Sequence, residues 1–382
     1  MDYVRTVVGV CRIRGRQLKE CNRRWTRKNL RYSTQVRVYL MESTVWCREQ
    51  TIIRPTSAKS YRSRTPSSSF ASGMTGNSNP LIVTSFLWVC YSTAMKWQYI
   101  DTHAHLNLGA FTDDVAAVAE TCAEQGVAVI NVGTKQTTSE RAVELAAQYP
   151  HCYAIVGLHP IQTVPGMHDE DEIGPGGTPF TSRGEIFDAA FYRQLAAKPK
   201  VVGIGECGFD YYHTEPDTYE QQEAAFIAQI QLANELDLPL MIHTRGPKPG
   251  EVSPTGRSVY EDVYQTLKQY ATVPFNVHFF AGTYAEAKRF FELGGTISFT
   301  GVITFASDYE EVVKAAPLER MHAETDCPFV APAPYRGKRC EPWMVTEVVA
   351  TIAQLKGIDC DTVAAQLRAN AQARYSLTDS ET

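Results

Sequence analysis

From residue 96 onward the chain alternates short runs rich in Val, Ile, Phe and Thr with longer stretches whose apolar residues recur every three or four positions. The short runs read as strands at Gln98–Thr102, Ala128–Val132, Tyr153–Gly157, Val201–Gly205, Leu240–His243, Phe275–His278, Thr296–Phe299 and Arg320–Glu324. Helices are predicted between them at Asp113–Gln125, Ser139–Gln148, Glu220–Leu236, Val259–Tyr270 and Tyr284–Leu293. In Glu220–Leu236, Phe226, Ile230, Ala233 and Leu236 share one apolar face. Eight strands alternating with helices over about 290 residues predict an α/β fold, a single-domain (β/α)8 TIM barrel, with a doubly wound open sheet as the other architecture. Two connections exceed the usual length, Gln162 to about Gly184 and Gly246–Gly256. Both follow strands and so overhang the barrel face where active sites sit, either as substrate-selecting lids or as plain surface insertions.

Residues 1–94 follow neither periodicity, and their charge is different in kind. They hold 13 Arg and 3 Lys against four acids, a net of +12, which leaves −17 for the other 288 residues of a chain whose total is −5. All nine histidines lie after residue 94. The division expected is therefore a basic, low-structure extension over 1–94 and a barrel over 95–382. The extension reads as a targeting segment, as a nucleic-acid-binding tail, or as upstream sequence ahead of a true start at Met95. The ten cysteines include no C-x-x-C pair, which speaks against zinc knuckles and thiol redox chemistry and fits a cytoplasmic location. No run reaches the roughly 18 apolar residues of a membrane span. No obligate protein partner is readable.

Polar residues gather at the ends of the predicted strands. His103 and His105 close the first, and alternation puts both imidazoles on one side of an extended chain. His159 follows the third strand, Glu206 the fourth, His243 and His278 end the fifth and sixth, and Asp326 follows the eighth. His103, His105, Glu206, His243, His278 and Asp326 are too many ligands for one tetrahedral ion and suit two divalent ions, with Glu206 as the bridge. Asp326 is then placed to ligate the first ion and to orient or deprotonate an attacking water, which makes the reaction class hydrolysis. Gly203-Ile-Gly205-Glu-Cys-Gly208 satisfies the dinucleotide-binding spacing, but no helix begins at its glycines, and that reading leaves the histidines unexplained.

Substrate contacts are expected from Pro328 to Arg339, a proline-stiffened loop ending in Arg336, Lys338 and Arg339, whose cations can hold phosphate or simply pair with nearby acids. Arg245 adds a phosphate contact, Tyr212 a stacking surface and His159 a further polar contact. The −17 balance repels long duplexes and favours a short single-stranded end or a small nucleotide.

Taken together, Asp101-Thr-His-Ala-His-Leu106, Gly157-Leu-His-Pro160, Gly205-Glu-Cys-Gly-Phe-Asp-Tyr211, His243-Thr-Arg245, His278-Phe-Phe-Ala-Gly282, Glu324-Thr-Asp-Cys-Pro328 and Pro334-Tyr-Arg-Gly-Lys-Arg339 resemble the TatD family of metal-dependent hydrolases, from about Tyr99 to Tyr375. The resemblance implies an eight-stranded barrel, Mg, Mn or Zn as the metal, and deoxyribonuclease activity on single-stranded ends. Phe279, Ala281, Cys340 and the insertion at Gly246-Pro247 depart from the family pattern, and none of them is a predicted ligand. Two other functions use similar parts: a deacylase or amidase, whose carbonyl substrate the same activated water attacks, and a metal-stabilised binding protein without catalysis.

Overall fold

A computed structural model describes residues 97–168, 180–213 and 218–377. The expected extension over 1–94 lies outside the described residues. Eight strands form one parallel sheet in the order β1 (Tyr99–Ala104), β2 (Val127–Val132), β3 (Cys152–Val156), β6 (Val201–Asp210), β7 (Leu240–Arg245), β8 (Phe275–Val277), β9 (Thr296–Phe299) and β10 (Met321–Ala323). All eight expected strands are present, and the five expected helices lie within a few residues of their predicted bounds. Helices at Ala189–Ala196, Glu310–Ala315, Val345–Lys356 and Cys360–Tyr375 complete the outer layer.

The strands are buried on both faces, and alternate residues divide between two cores. Val127 and Val129, Ala154 and Val156, and Leu240 and Ile242 join the core beneath the helices. Ala128, Ile130, Tyr153, Ile155 and Met241 form the inner core, closed at its base by Trp97, Tyr375 and Leu377. His243 lies on the same face of β7 as Met241, so it crowns that inner core.

The barrel closes where β10 meets β1, through a parallel bridge between Ala104 and Cys327. Two backbone bonds tighten this seam: Asp326 N–H donates to His103 O at 2.8 Å and His105 N–H to Cys327 O at 3.0 Å. Below them, buried Asp101 accepts Thr325 N–H at 2.9 Å and the Thr325 hydroxyl at 2.5 Å. Two ends of the chain's catalytic candidates are thus stitched together by the closure of the fold itself.

The segment from Gln162 to Gly184, expected as an irregular loop, carries an antiparallel pair, β4 (Pro165–His168) with β5 (Phe180–Arg183). Pro165-Gly-Met-His168 and Phe180-Thr-Ser-Arg183 lack the apolar, β-branched runs that mark the barrel strands, and their pairing is set across an intervening stretch, so the pattern did not reveal them. Residues 169–179, with the acidic run, lie outside the described residues. The Gly246–Gly256 connection is irregular as expected. Gly203, Gly205 and Gly208 sit inside fully buried β6, not on a phosphate loop. Gly208 has φ +148, and a Cβ there would run into the carbonyl oxygen of His243. Its role is to let β6 approach β7.

Candidate metal centre

Glu206 stands at the centre of the C-terminal face, and its two oxygens point to two different sets of imidazoles. Oε2 lies 3.2 Å from His103 Nε2 and 3.8 Å from His105 Nε2. Oε1 lies 2.6 Å from His278 Nε2 and 2.7 Å from His243 Nδ1. Asp326 completes the first set, with Oδ1 3.6 Å from His103 Nε2 and 3.4 Å from His105 Nε2. The structure therefore brings all six expected ligands together, arranged around one shared carboxylate.

Tautomers inferred from the fixed acceptors show what this arrangement needs. His105 Nδ1 lies 2.8 Å from Val132 O, which can only accept, so Nδ1 carries a proton and Nε2 is the nitrogen turned toward the centre. Nε2 faces His103 Nε2 at 3.1 Å. His243 Nε2 lies 3.0 Å from Asp210 Oδ2 and donates to it, which turns Nδ1 toward Glu206 and toward His278 Nε2 at 3.3 Å. Ring nitrogens and carboxylate oxygens converging at such distances share positive charge, which protons or divalent ions can supply. Divalent ions fit that donor set.

The titration behaviour of these groups reflects the same field. Burial opposes the ionised form of Glu206, but His278, His159 and His103 outweigh it and hold the carboxyl well below its usual range. For His278 burial favours the neutral ring, yet the Glu206 charge and hydrogen bond push it well above the ordinary histidine value. Asp326 is likewise lowered against its burial, by the His105 hydrogen bond and the neighbouring rings.

His159, expected as a substrate contact, has Nε2 3.4 Å from Glu206 Oε1 and its ring against His243, centroids 4.2 Å apart. Its Nδ1 accepts Ile161 N–H at 3.2 Å, so Nε2 carries the proton and faces the centre as a donor. Burial, with the charge of His243, depresses it to about 4, which keeps the ring neutral.

Two residues that sequence reasoning assigned no role also shape the centre. Asp210 orients His243, accepts from His213 Nδ1 at 2.9 Å, and is held well below the usual carboxylate range by these partners despite burial. Glu324 accepts Phe279 N–H at 2.6 Å and fixes that residue at φ +44, an unfavourable conformation for a bulky side chain, immediately after His278. Two glutamines from the helix Tyr219–Leu236 pin the strand ends from behind. Gln229 pairs with the N–H and C=O of Leu158 at 2.8 and 2.9 Å, and Gln222 with those of Asp210 at 2.9 and 3.0 Å. The motif Gly205–Tyr211 contained Asp210, but its partner on β7 was not visible along the chain.

A cavity of about 1020 Å³ opens over the centre, lined among others by Lys135, His159, Tyr212, Arg245, Tyr260 and Phe279. Arg245 and Tyr212 meet there, the guanidinium 4.6 Å from the ring centroid. Arg336, Lys338 and Arg339 do not line it. Of the two expectations for Arg339, phosphate contact or pairing with nearby acids, the structure shows the pairing: its guanidinium binds Asp114 through both oxygens at 2.9 and 2.6 Å and Glu341 at 3.0 Å. Those contacts tie the loop to the start of the barrel and leave the cation committed. Cys340 is buried, whereas Phe279, Ala281 and the Gly246-Pro247 start of the insertion line the cavity, so three of the four departures from the family pattern fall where substrate would lie.

The sequence pattern described as TatD related DNase matches residues 100–376, the whole of the barrel just described. The chain belongs to the TatD-related DNase family. It is 34% identical over 282 residues to the uncharacterized metal-dependent hydrolase YabD of Bacillus subtilis, covering 72% of this chain and 98% of that protein. It is 32% identical over 286 residues to the 3'-5' ssDNA/RNA exonuclease TatD of Erwinia tasmaniensis, covering 72% of this chain and 99% of that one. The crystal structure of YjjV, a TatD homologue of Escherichia coli, superposes with a TM-score of 0.61 at 26% identity, over 74% of this chain and all of that one. TatD-family membership makes the protein a metal-dependent hydrolase acting on ester bonds. Among the described residues no helix is long and apolar enough to cross a membrane.

Proposed function

We propose that the protein hydrolyses phosphodiester bonds at the ends of single-stranded nucleic acid, with two divalent ions held by His103, His105, Glu206, His243, His278 and Asp326. The observation that carries this reading is the division of the Glu206 oxygens between two imidazole sets. The Erwinia relative, named an exonuclease on single-stranded DNA and RNA, supports the substrate class. The imidazole nitrogens suit Zn and the shared carboxylates suit Mn or Mg, the three metals the family resemblance implies. When bound, the ions supply Lewis acidity that activates water and neutralises charge on the phosphoryl oxygens.

The side chains supply the rest. Asp326, ionised and beside His103 and His105, takes the proton of the attacking water. His159 presents its Nε2–H to a phosphoryl oxygen while remaining neutral. Arg245 binds phosphate and Tyr212 stacks on the terminal base, each steadied by the other. Charge on the approaching phosphate is drawn in by Lys135 and Arg245 at the cavity wall.

The test is to strip the full chain of metal, reload it with Mg, Mn or Zn, and offer end-labelled single strands beside a panel of carboxyl esters and amides. Metal-dependent shortening of the strand, lowered about 100-fold or more by Asp326→Asn, is expected. Turnover on the acyl panel alone would move the reaction to the deacylase class.

A further inference from the structure

We propose that Phe305 and Arg336 form a second nucleotide subsite on the barrel rim, where a single strand whose end occupies the metal pocket stacks one further base. The inference rests on the nuclease reading and extends it outward. Four large apolar side chains are exposed among the described residues, Ile186, Val252, Ile358 and Phe305, and Phe305 alone offers an aromatic face, with 45% of its surface open. The Arg336 guanidinium lies 4.1 Å from the centroid of that ring. A solvent-facing aromatic layered with a guanidinium is what sequence-tolerant binding of single strands uses, the ring for the base and the cation for its phosphate.

The pair is built in rather than loosely draped. Phe305 and Ala306 donate their N–H groups to Val302 O at 3.2 and 3.0 Å. The Thr304 hydroxyl bonds Gly301 O at 2.6 Å and accepts Ala333 N–H at 2.7 Å, which fastens the loop after β9 to the loop that carries Arg336. Arg336 itself donates one N–H to Ala331 O at 3.3 Å, which leaves the outer edge of its fork toward solvent. Both loops reach the catalytic cavity, through Val302 and Tyr309 on one and Phe329 and Val330 on the other. A strand leaving the pocket between β9 and β10 therefore meets Phe305 next. The position also explains a cation that the metal pocket does not use: Arg336 and Lys338 stand exposed here, in a chain segment whose net charge is −17.

Binding and cleavage are read separately. The metal-loaded full chain is titrated with a fluorescein-labelled phosphorothioate oligothymidylate of twelve nucleotides, followed by anisotropy, and with thymidine 5′-monophosphate as competitor. Phe305→Ala is expected to weaken the oligonucleotide about tenfold, the loss of one stacking partner, while shifting the monophosphate by less than about twofold. Phe305→Tyr should restore binding, and Arg336→Gln should weaken the oligonucleotide and flatten its salt dependence. Oligonucleotide affinity unchanged in Phe305→Ala overturns the subsite. Equal losses for both ligands, not rescued by Tyr, overturn it as well and make Phe305 a support of the pocket wall. If the wild type binds the oligonucleotide with these dependences yet cuts no phosphodiester, the catalytic reading falls and the subsite stands.

Discussion

Asp210 shows how a single side chain sets the chemistry of a ligand it does not replace. By accepting from His243 Nε2 it turns Nδ1 of that ring toward Glu206. Asp210→Asn is expected to weaken metal binding at the His243/His278 side about 10- to 100-fold, with turnover recovered by added metal. Metal titration of the variant checks this, and an unchanged isotherm would leave Asp210 a purely structural acid. His322 offers a second test at this scale. It is buried in the barrel against Thr296, 3.0 Å away, and burial with the Arg374 charge depresses it from 6.5 to about 3. Because the unfolded chain binds that proton first, stability is intact above about 6.5 and is lost as pH falls toward 3. The wild-type unfolding free energy should therefore fall by up to about 1.4 kcal/mol per pH unit more steeply than that of His322→Gln. Parallel curves would show that His322 does not contribute.

Strand ends explain why the candidate metal ligands could be grouped along the chain and much else could not. A histidine that closes a hydrophobic run announces both its face and its height in the barrel, so His103, His105, His243 and His278 could be grouped from the sequence alone. The pairing of Arg339 with Asp114 was not legible, because that partner stands 225 residues away, nor was the place of Lys135 on the cavity wall, which lies on a loop whose path the pattern does not show. The helices at Val345–Lys356 and Cys360–Tyr375 were readable in principle, since Val345, Val348, Val349 and Ile352 keep the helical spacing. The β4–β5 pair was not, because neither strand carries the apolar, β-branched run that marks the barrel strands. Two predictions belong to elements. Gly208→Ala should cost more than about 1 kcal/mol, since φ +148 and the His243 carbonyl both oppose a Cβ, and should release metal as β7 is pushed away. Thermal unfolding and metal content check it together. Arg339→Ala should lose no more than about 1 kcal/mol of stability and leave oligonucleotide affinity within about twofold, because its ion pairs are partly exposed and lie off the cavity.

At the scale of the molecule, barrel closure and the proposed metal centre depend on the same seam. His103, His105 and Asp326 are brought together by the bonds that join β1 to the segment after β10, so whatever opens the barrel also takes apart the first ligand set. All eight barrel strands lie between Tyr99 and Ala323. We therefore propose that a chain beginning at Met95 keeps metal content and turnover, and loss of either on removing residues 1–94 would give that basic segment a direct part in the enzyme. The account as a whole turns on one carboxylate serving two ions. The most direct measurement is metal stoichiometry and affinity by calorimetric titration and elemental analysis, for the wild type and for Glu206→Gln. Two ions per wild-type chain are expected, with no more than one retained by the variant and turnover lowered about 100-fold or more. Two ions bound to Glu206→Gln at wild-type affinity, with wild-type turnover, would contradict it.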